Sequence, residues 1–390
     1  MRKKENIVSI PRSITIKGAY GDANIGDDLL LDMIISVLKE VLDARTKIVL
    51  VAKKAPYLRN YYPQVSIISQ PASKLKYTDV YILGGGTQLF SFKSGERRSK
   101  FEIYWHFIKN EPFLLLLWLK HKFSPKRPLA GKFYALGIGL GPFEEKEVET
   151  SVKGILSNYH KVYVRDKYSK EYLIKWGFHD YFFGADLCLS SRFKEQFNFK
   201  KQGSMGKKPR IGLVLRSWSY GEYGDRLNDI VLKTFEDKRV QYHLYVFSTI
   251  KDQELIETVG NRADMMSLQS MAVWDPDRDT FHRFLEDFSK NDIIVTSRYH
   301  AAIFALNFNI PTICIGIDPK LKALCEEVAG FYYWEVSENA DFILESITKI
   351  FEDYETHQSS IRQSYSLLNE RSDEMINDFV KTVFGNADYQ

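Results

Sequence analysis

Short apolar, β-branched runs, each passing through a polar or glycine-rich turn into a helical stretch, recur along this 390-residue chain and leave it few architectures. The sharpest instance spans residues 292–320. Ile293-Ile294-Val295 reads as a strand buried on both faces, and the run from Ala301 to Leu306 as the start of a buried helix. Between them lies Thr296-Ser297-Arg298-Tyr299-His300. Such a cluster falls at a strand's carboxyl end and a helix's amino end, where open α/β sheets bind ligands and free backbone N–H groups favour an anion. An Arg and a His two residues apart at that place have the chemistry to hold an anion and move a proton. Residues 310–316 supply the next strand, and Asp318-Pro319-Lys320 opens another helix with Asp as N-cap and Pro in the first turn.

The same alternation continues on both sides. Ser13 to Lys17 reads as a strand, followed by the turn Gly18-Ala19-Tyr20-Gly21-Asp22-Ala23-Asn24-Ile25-Gly26-Asp27-Asp28 and a helix from Leu29 to about Leu42. This turn has the form of a ligand-binding loop. It is not the dinucleotide fingerprint, because G-x-G-x-x-G is absent and the next strand, Ile48 to Ala52, ends in lysines where a ribose-binding acid is needed. No G-x-x-x-x-G-K-[ST] phosphate loop occurs either. Asp79 to Leu83 is expected to end in the turn Gly84-Gly85-Gly86-Thr87, three glycines implying a backbone-lined pocket or a close chain crossing. Lys132 to Leu136 is expected to end in Gly137-Ile138-Gly139-Leu140-Gly141-Pro142 before a helix near Glu144. A second alternating set starts at Arg210 and delivers Arg216 to its first strand end.

A chain of this length exceeds what one core usually sustains. Two Rossmann-like, doubly wound domains facing a cleft are therefore expected. Their bounds are 1–190, a Lys/Gln/Gly/Ser-rich linker at 191–209, 210–356, and a C-terminal helix at 357–390 returning to the first domain. Hydrophobic content of 44% excludes wholesale disorder. A formal charge of +4 suits a small anionic substrate or a membrane surface and does not call for nucleic acid. Cys188, Cys314 and Cys325 sit singly in apolar sequence, which points to buried thiols in a reducing, cytoplasmic setting and to no metal site. The N-terminus lacks the apolar core of an export signal. In residues 104–127, the aromatic run Tyr104-Trp105-His106-Phe107 and the apolar run 113–119 precede Lys120, Lys122, Lys126 and Arg127. That pattern suits peripheral contact with the inner face of a membrane as well as it suits a buried helix.

Taken in order, GAYGDANIGDD, LGGGTQLF, ALGIGLGPF, VRDKYSKEYLIKWG with its following GAD, LRSW and SRYHAAIFALNFNIPTICIGIDPK resemble the polysaccharide pyruvyl transferase family over about Gly18 to Gly330. The resemblance implies a fold like that of the GT-B glycosyltransferases. It also implies phosphoenolpyruvate as co-substrate, with no other cofactor, and a pyruvate ketal on a sugar or lipid-linked oligosaccharide as product. Carried over by residue, Arg216, Arg298 and His300 belong to its site; by their chemistry Arg216 and Arg298, with the adjoining Ser297 and Tyr299, are expected to hold phosphoenolpyruvate and His300 to be the general acid. Asp27 or Asp28 would be the base, and Asn24, Gly26, Gly85, Gly86 and Thr87 the acceptor side. Ser297 and Tyr299 stand where many relatives carry Met and Leu, so acceptor choice does not transfer. A nucleotide-sugar glycosyltransferase using Glu326 or Glu327 for a ribose is the rival enzyme reading, and a non-catalytic sugar-binding component is the rival from another class. The oligomeric state and the identity of the acceptor have no sequence signature.

Overall fold

The computed structural model describes residues 11–53, 56–69, 77–91, 130–199, 208–216, 240–260, 268–336 and 341–385. The aromatic and basic stretch 104–127, and Ser217 and Trp218, lie outside them. The first sheet is built from β1 (Ser13–Lys17), β2 (Lys47–Ala52), β3 (Ser66–Ser69), β4 (Thr78–Ser91), β5 (Ala130–Phe143), β6 (Lys161–Val164) and β7 (Tyr181–Phe183). Its strands run parallel in the order β3-β2-β1-β4-β5-β6-β7. Helices α1 (Ile25–Val41), α2 (Pro56–Tyr61), α3 (Lys146–Leu156) and α4 (Lys167–Trp176) connect them, and α5 (Ser191–Gln196) follows. The second sheet holds β8 (Arg210–Val214), β9 (Gln241–Val246), β10 (Leu268–Val273), β11 (Ile293–Thr296), β12 (Thr312–Ile315) and β13 (Phe331–Trp334). These are parallel in the order β10-β9-β8-β11-β12-β13. With them go α6 (Gln253–Gly260), α7 (Phe281–Ser289), α8 (Tyr299–Asn307), α9 (Pro319–Glu327) and α10 (Asp341–Glu352), before the 31-residue α11 (Tyr354–Phe384).

Both sheets are thus doubly wound α/β, and each reverses its strand order once, between β1 and β4 and between β8 and β11. Those reversals leave a crevice beyond the strands' carboxyl ends, because the helices on either side depart to opposite faces.

Two expectations fail in an informative way. Gly84-Gly85-Gly86 does not end a strand: β4 runs through it to Ser91, paired with β5, which itself runs through Gly137 and Gly141 to Phe143. The glycines serve close packing within a continuing ladder. A Cβ on Gly84 would come within 2.5 Å of the Tyr20 hydroxyl and 2.6 Å of Ile34 Cδ1, and one on Gly85 within 3.0 Å of Leu30. Helix α1 therefore lies directly on bare backbone. The segment from residue 191 opens as α5, whose Phe193 is fully buried and stacked on Phe304 at 5.9 Å. It is packed core at its start, because three phenylalanines at 193, 197 and 199 offset its polar composition.

The two halves are joined through one apolar core that draws on α1, α7, α8 and α11. Helix α11 spans them. Near its start Gln358 Nε2 donates to the Asn309 carbonyl at 3.1 Å. Further along, Asn369 Nδ2 donates to Leu189 O at 2.7 Å, Arg371 Nη2 to Gly184 O at 2.7 Å, and Ser372 Oγ to Asp186 O at 2.9 Å. Gly184 is where the fit is closest, since a Cβ there would sit 2.5 Å from Met375 Sδ. Gly184→Ala is expected to cost about 1–3 kcal/mol through overpacking, read as a lowered urea midpoint. An unchanged midpoint would mean that α11 is not held at this contact.

Candidate active site

The crevice of the second sheet is marked by two arginines. Val214 on β8 pairs with Thr296 on β11, so the chain places Arg216 and Arg298 two residues beyond the last paired positions of neighbouring strands. Arg298 is also the N-cap of α8. Thr296 Oγ1 accepts from the Arg298 amide at 2.8 Å and donates to Val214 O at 3.0 Å, which fixes this strand-to-helix turn. The Arg298 guanidinium grips both oxygens of the fully buried Asp252, and its Nε faces Leu215 O at 3.4 Å. With Nη2 on the carboxylate and Nε on a backbone carbonyl, the side chain has one orientation.

The first domain closes the crevice with the turn before α1. The Ile25 amide donates to Phe247 O at 3.1 Å, and Asn24 makes an isolated antiparallel bridge with Ser248. Asn24 is the N-cap of α1: its Oδ1 accepts from the Gly26 amide at 3.3 Å while its Nδ2 donates to Asp27 Oδ2 at 2.7 Å. Gly26 is needed for contact, since a Cβ there would lie 2.3 Å from His300 Nδ1. Gly86, at φ +85°, adopts a conformation that side chains disfavour, and a Cβ on it would come 3.1 Å from Asp27 Oδ1. Beyond β6, Arg165 Nη1 pairs with the buried Asp186 at 2.5 Å, and its guanidinium lies 4.4 Å from the centre of the Tyr299 ring. His300 Nε2 is 3.4 Å from that same Nη1 and 3.9 Å from Asp186 Oδ2.

The result is a cleft of about 180 Å³ lined by residues of both domains. Five of the lining residues are basic, Arg165, Arg216, Lys251, Arg298 and Lys320, against the acids Asp27 and Asp318. Burial lowers the pKa of Arg216, with Arg298 adding repulsion, and burial likewise lowers that of Lys320. Cations taken out of water and crowded together are stabilised by an incoming anion. Burial also pushes His300 down to about 4, with Arg165 repelling the imidazolium and Asp186 opposing that. In the free protein this imidazole is neutral at pH 7, and it does not titrate near neutrality as its type alone predicts.

The cleft brings together Asn24, Asp27, Arg216, Arg298, Tyr299 and His300. It does not include Asp28, which faces the domain seam: Tyr57 Oη donates to its Oδ1 at 2.7 Å and Trp274 Nε1 to its Oδ2 at 3.1 Å. Burial raises that carboxyl to about 7. Both its oxygens serve structural donors, on the seam side and outside the cleft lining. Ser297 is buried beneath the cleft with its amide on Val214 O at 3.1 Å, Gly85 faces Leu30, and Thr87 continues β4, its side chain lying outside the described residues. Sequence reasoning passed over Arg165, Lys251 and Lys320, and the supporting Asp186 and Asp252. Arg165 had a usable signal, for it follows β6 as directly as Arg298 follows β11. Glu326 pairs with Lys167, and Glu327 with Arg371 at 2.6 Å, and neither lines the cleft. Among the described residues no group of three or more His, Cys, Asp or Glu side chains is placed to hold a metal ion, and no helix is long and apolar enough to cross a membrane.

A family model described as polysaccharide pyruvyl transferase matches residues 24–319, which takes in the described lining of this cleft apart from Ala19 and Lys320. The chain belongs to the polysaccharide pyruvyl transferase family. Its members are transferases by description, and the two-domain architecture of this one is shared with sugar-nucleotide enzymes. Anabaena HepE in complex with UDP-glucose superposes with a TM-score of 0.55 at 10% identity, covering 95% of this chain and 99% of its own. Staphylococcus aureus MnaA with UDP gives 0.59 at 10% identity over 97% and 99%. Sucrose-phosphate synthase from Thermosynechococcus elongatus gives 0.54 at 14% identity over 96% and 100%. Likeness at such identities establishes the GT-B fold for this pyruvyl transferase family member and leaves its chemistry to the cleft. No match was found among curated proteins.

An unfolded His takes its proton near 6.5 and the folded His300 near 4, so stability from this residue is present above about 6.5 and is lost as pH falls through that window. The buried His243, also pushed down to about 4, acts in the same direction. The His300 ring resonances are expected to titrate near pH 4 in the free protein, and a midpoint at 6.5 would show the imidazole to be solvated.

Proposed function

We propose that the cleft binds phosphoenolpyruvate and transfers its pyruvyl group to two hydroxyls of a sugar, forming a cyclic ketal and releasing phosphate. The observation that supports this most is the gathering of Arg165, Arg216, Lys251, Arg298 and Lys320 around one neutral His in a member of this family. Phosphoenolpyruvate brings a phosphate and a carboxylate, and guanidinium forks match both groups. Arg216 and Arg298 both line the cleft, and Arg298 is held by Asp252. Arg298 then acts mainly through its fixed charge.

The chemistry asks for a proton on C3 of the enol, attack on C2 by one hydroxyl, cleavage of the C2–O bond to phosphate, and closure by the second hydroxyl. Two hydroxyl protons are released, one replacing that consumed at C3 and one leaving with phosphate, so the reaction balances. His300 is neutral in the free protein, and the donor changes that. A trianionic ligand against the imidazole raises its pKa and lets it arrive at C3 as the acid. Asp27, hydrogen-bonded by Asn24 and lining the facing wall, is placed to take a hydroxyl proton.

Incubation with phosphoenolpyruvate and a panel of soluble and lipid-linked hexosides is expected to give a product carrying a pyruvate ketal, detected by mass, with phosphate released in equal amount. Ketal formation absent from every acceptor, with donor unbound in calorimetry, would overturn the reading. His300→Ala and Asp27→Asn are each expected to lower kcat by about 10²-fold or more with donor affinity largely kept. Arg216→Ala is expected to weaken donor binding by at least about tenfold, a loss of about 1.4 kcal/mol. Asp28→Asn, by contrast, should lower the melting temperature and leave the kcat of the folded fraction near normal. A kcat loss equal to that of Asp27→Asn would return Asp28 to the chemistry.

A further inference from the structure

A second cavity, of about 360 Å³, opens next to the cationic cleft. It lies between α4 of the first domain and the start of α9 of the second, and is lined by Leu140, Gly141, Pro142, Tyr168, Glu171, Tyr172, Lys175, Pro319 and Lys320. Lys320 lines both cavities and forms the wall between them. We infer that this cavity is the acceptor subsite and that it takes a pyranose ring, a reading that rests on the donor occupying the cationic cleft.

Its chemistry is that of a sugar site. The floor is aromatic and held in place: Tyr172 packs edge-on to Phe143 at 5.0 Å and against Trp176 at 5.5 Å, and its hydroxyl accepts from the Phe143 amide at 3.3 Å. Gly141, at φ +70°, leaves room for that ring, since a Cβ there would lie 2.5 Å from Tyr172 Cε2. A pyranose has one face of C–H bonds that lies on an aromatic ring and an edge of hydroxyls that needs polar partners. Polar partners are available in the lining residues Glu171, which is exposed, Tyr168, and Lys320, which is buried. The volume falls at the lower end of the roughly 300–1,000 Å³ typical of small-molecule sites, and an aromatic wall with a few polar groups is their usual lining.

Position argues the same way. The reacting hydroxyls must reach the donor's C2, so the acceptor ring has to lie against the donor's own cavity, and among the described residues the two cavities share Lys320 in their linings. The glycines around Asn24 do not offer an alternative pocket, because Gly26 is filled by His300, Gly85 by Leu30 and Gly86 by Asp27.

The test separates this subsite from the donor reading. Full-length protein labelled with 3-fluorotyrosine, with Tyr168 and Tyr172 assigned through Tyr→Phe variants, is titrated with methyl β-galactoside, methyl α-mannoside and methyl N-acetyl-β-glucosaminide. At least one glycoside is expected to shift both resonances saturably, while phosphoenolpyruvate alone shifts neither comparably. No shift with any of them, or an equal shift of the remote Tyr354, overturns the subsite. In turnover, Tyr168→Ala and the surface change Glu171→Ala are expected to raise acceptor KM by at least about tenfold with donor affinity unchanged. Unchanged acceptor KM in both would refute the subsite while leaving the donor reading intact. Glycoside shifts in a protein that fails to bind phosphoenolpyruvate would do the reverse.

Discussion

The structure depends on the insertion of one turn, Asn24 to Asp28, into the edge of the opposite domain. Its Ile25 amide bonds Phe247 O, its Asn24 bridges Ser248, and its Asp28 accepts from Trp274 across the seam. A hydrogen bond to a charged group contributes about 1.5–3 kcal/mol, and leaving a buried carboxylate without one costs more than that. The contact therefore sets the position of the first domain at the point where the ligand site must form. Because Gly26 carries no side chain, the same turn comes down on the His300 ring.

This insertion turns two separate crevices into one cleft. Each doubly wound sheet has its own reversal of strand order and its own set of loops at the carboxyl ends. Held face to face, β1 contributes the wall with Asn24 and Asp27, and β8 and β11 contribute Arg216 and Arg298. Arg298 is buried there and Arg216 half-buried. Asp252 and Asp186, both fully buried, balance Arg298 and Arg165 from behind and leave the front of the cleft positive. An anion entering there meets dipoles and charges that are already oriented, which is how a site stabilises developing charge without reorganising.

The cost of such a site shows in its titratable groups. Burial and Arg165 hold the imidazole neutral, and burial lowers the pKa of Lys320 and of Arg216. Bound substrate charge relieves all three at once. In the proposed reaction, donor binding and readiness for proton transfer are one event, because the same negative charge that satisfies the cations would restore the proton to His300.

Much of this was legible in the chain. Apolar runs ending at Arg216 and Arg298 follow from a period that only buried parallel strands satisfy, and the helices placed from Asn24 and Asp318 follow from their capping chemistry. Local pattern alone located these, because strand ends and helix caps are decided within a few residues. It failed at Gly84-Gly85-Gly86, where bare backbone served a helix passing over a continuing strand, and it did not separate Asp28 from Asp27, because the partners of Asp28, Tyr57 and Trp274, are 29 and 246 residues away. Which carboxylate faces the cleft, which cations join Arg216 and Arg298, and in what state His300 rests are questions of distance and burial. Composition and spacing carry neither quantity, so only the folded chain, by bringing Arg165, Lys251 and Lys320 to one place and excluding water from it, could decide them.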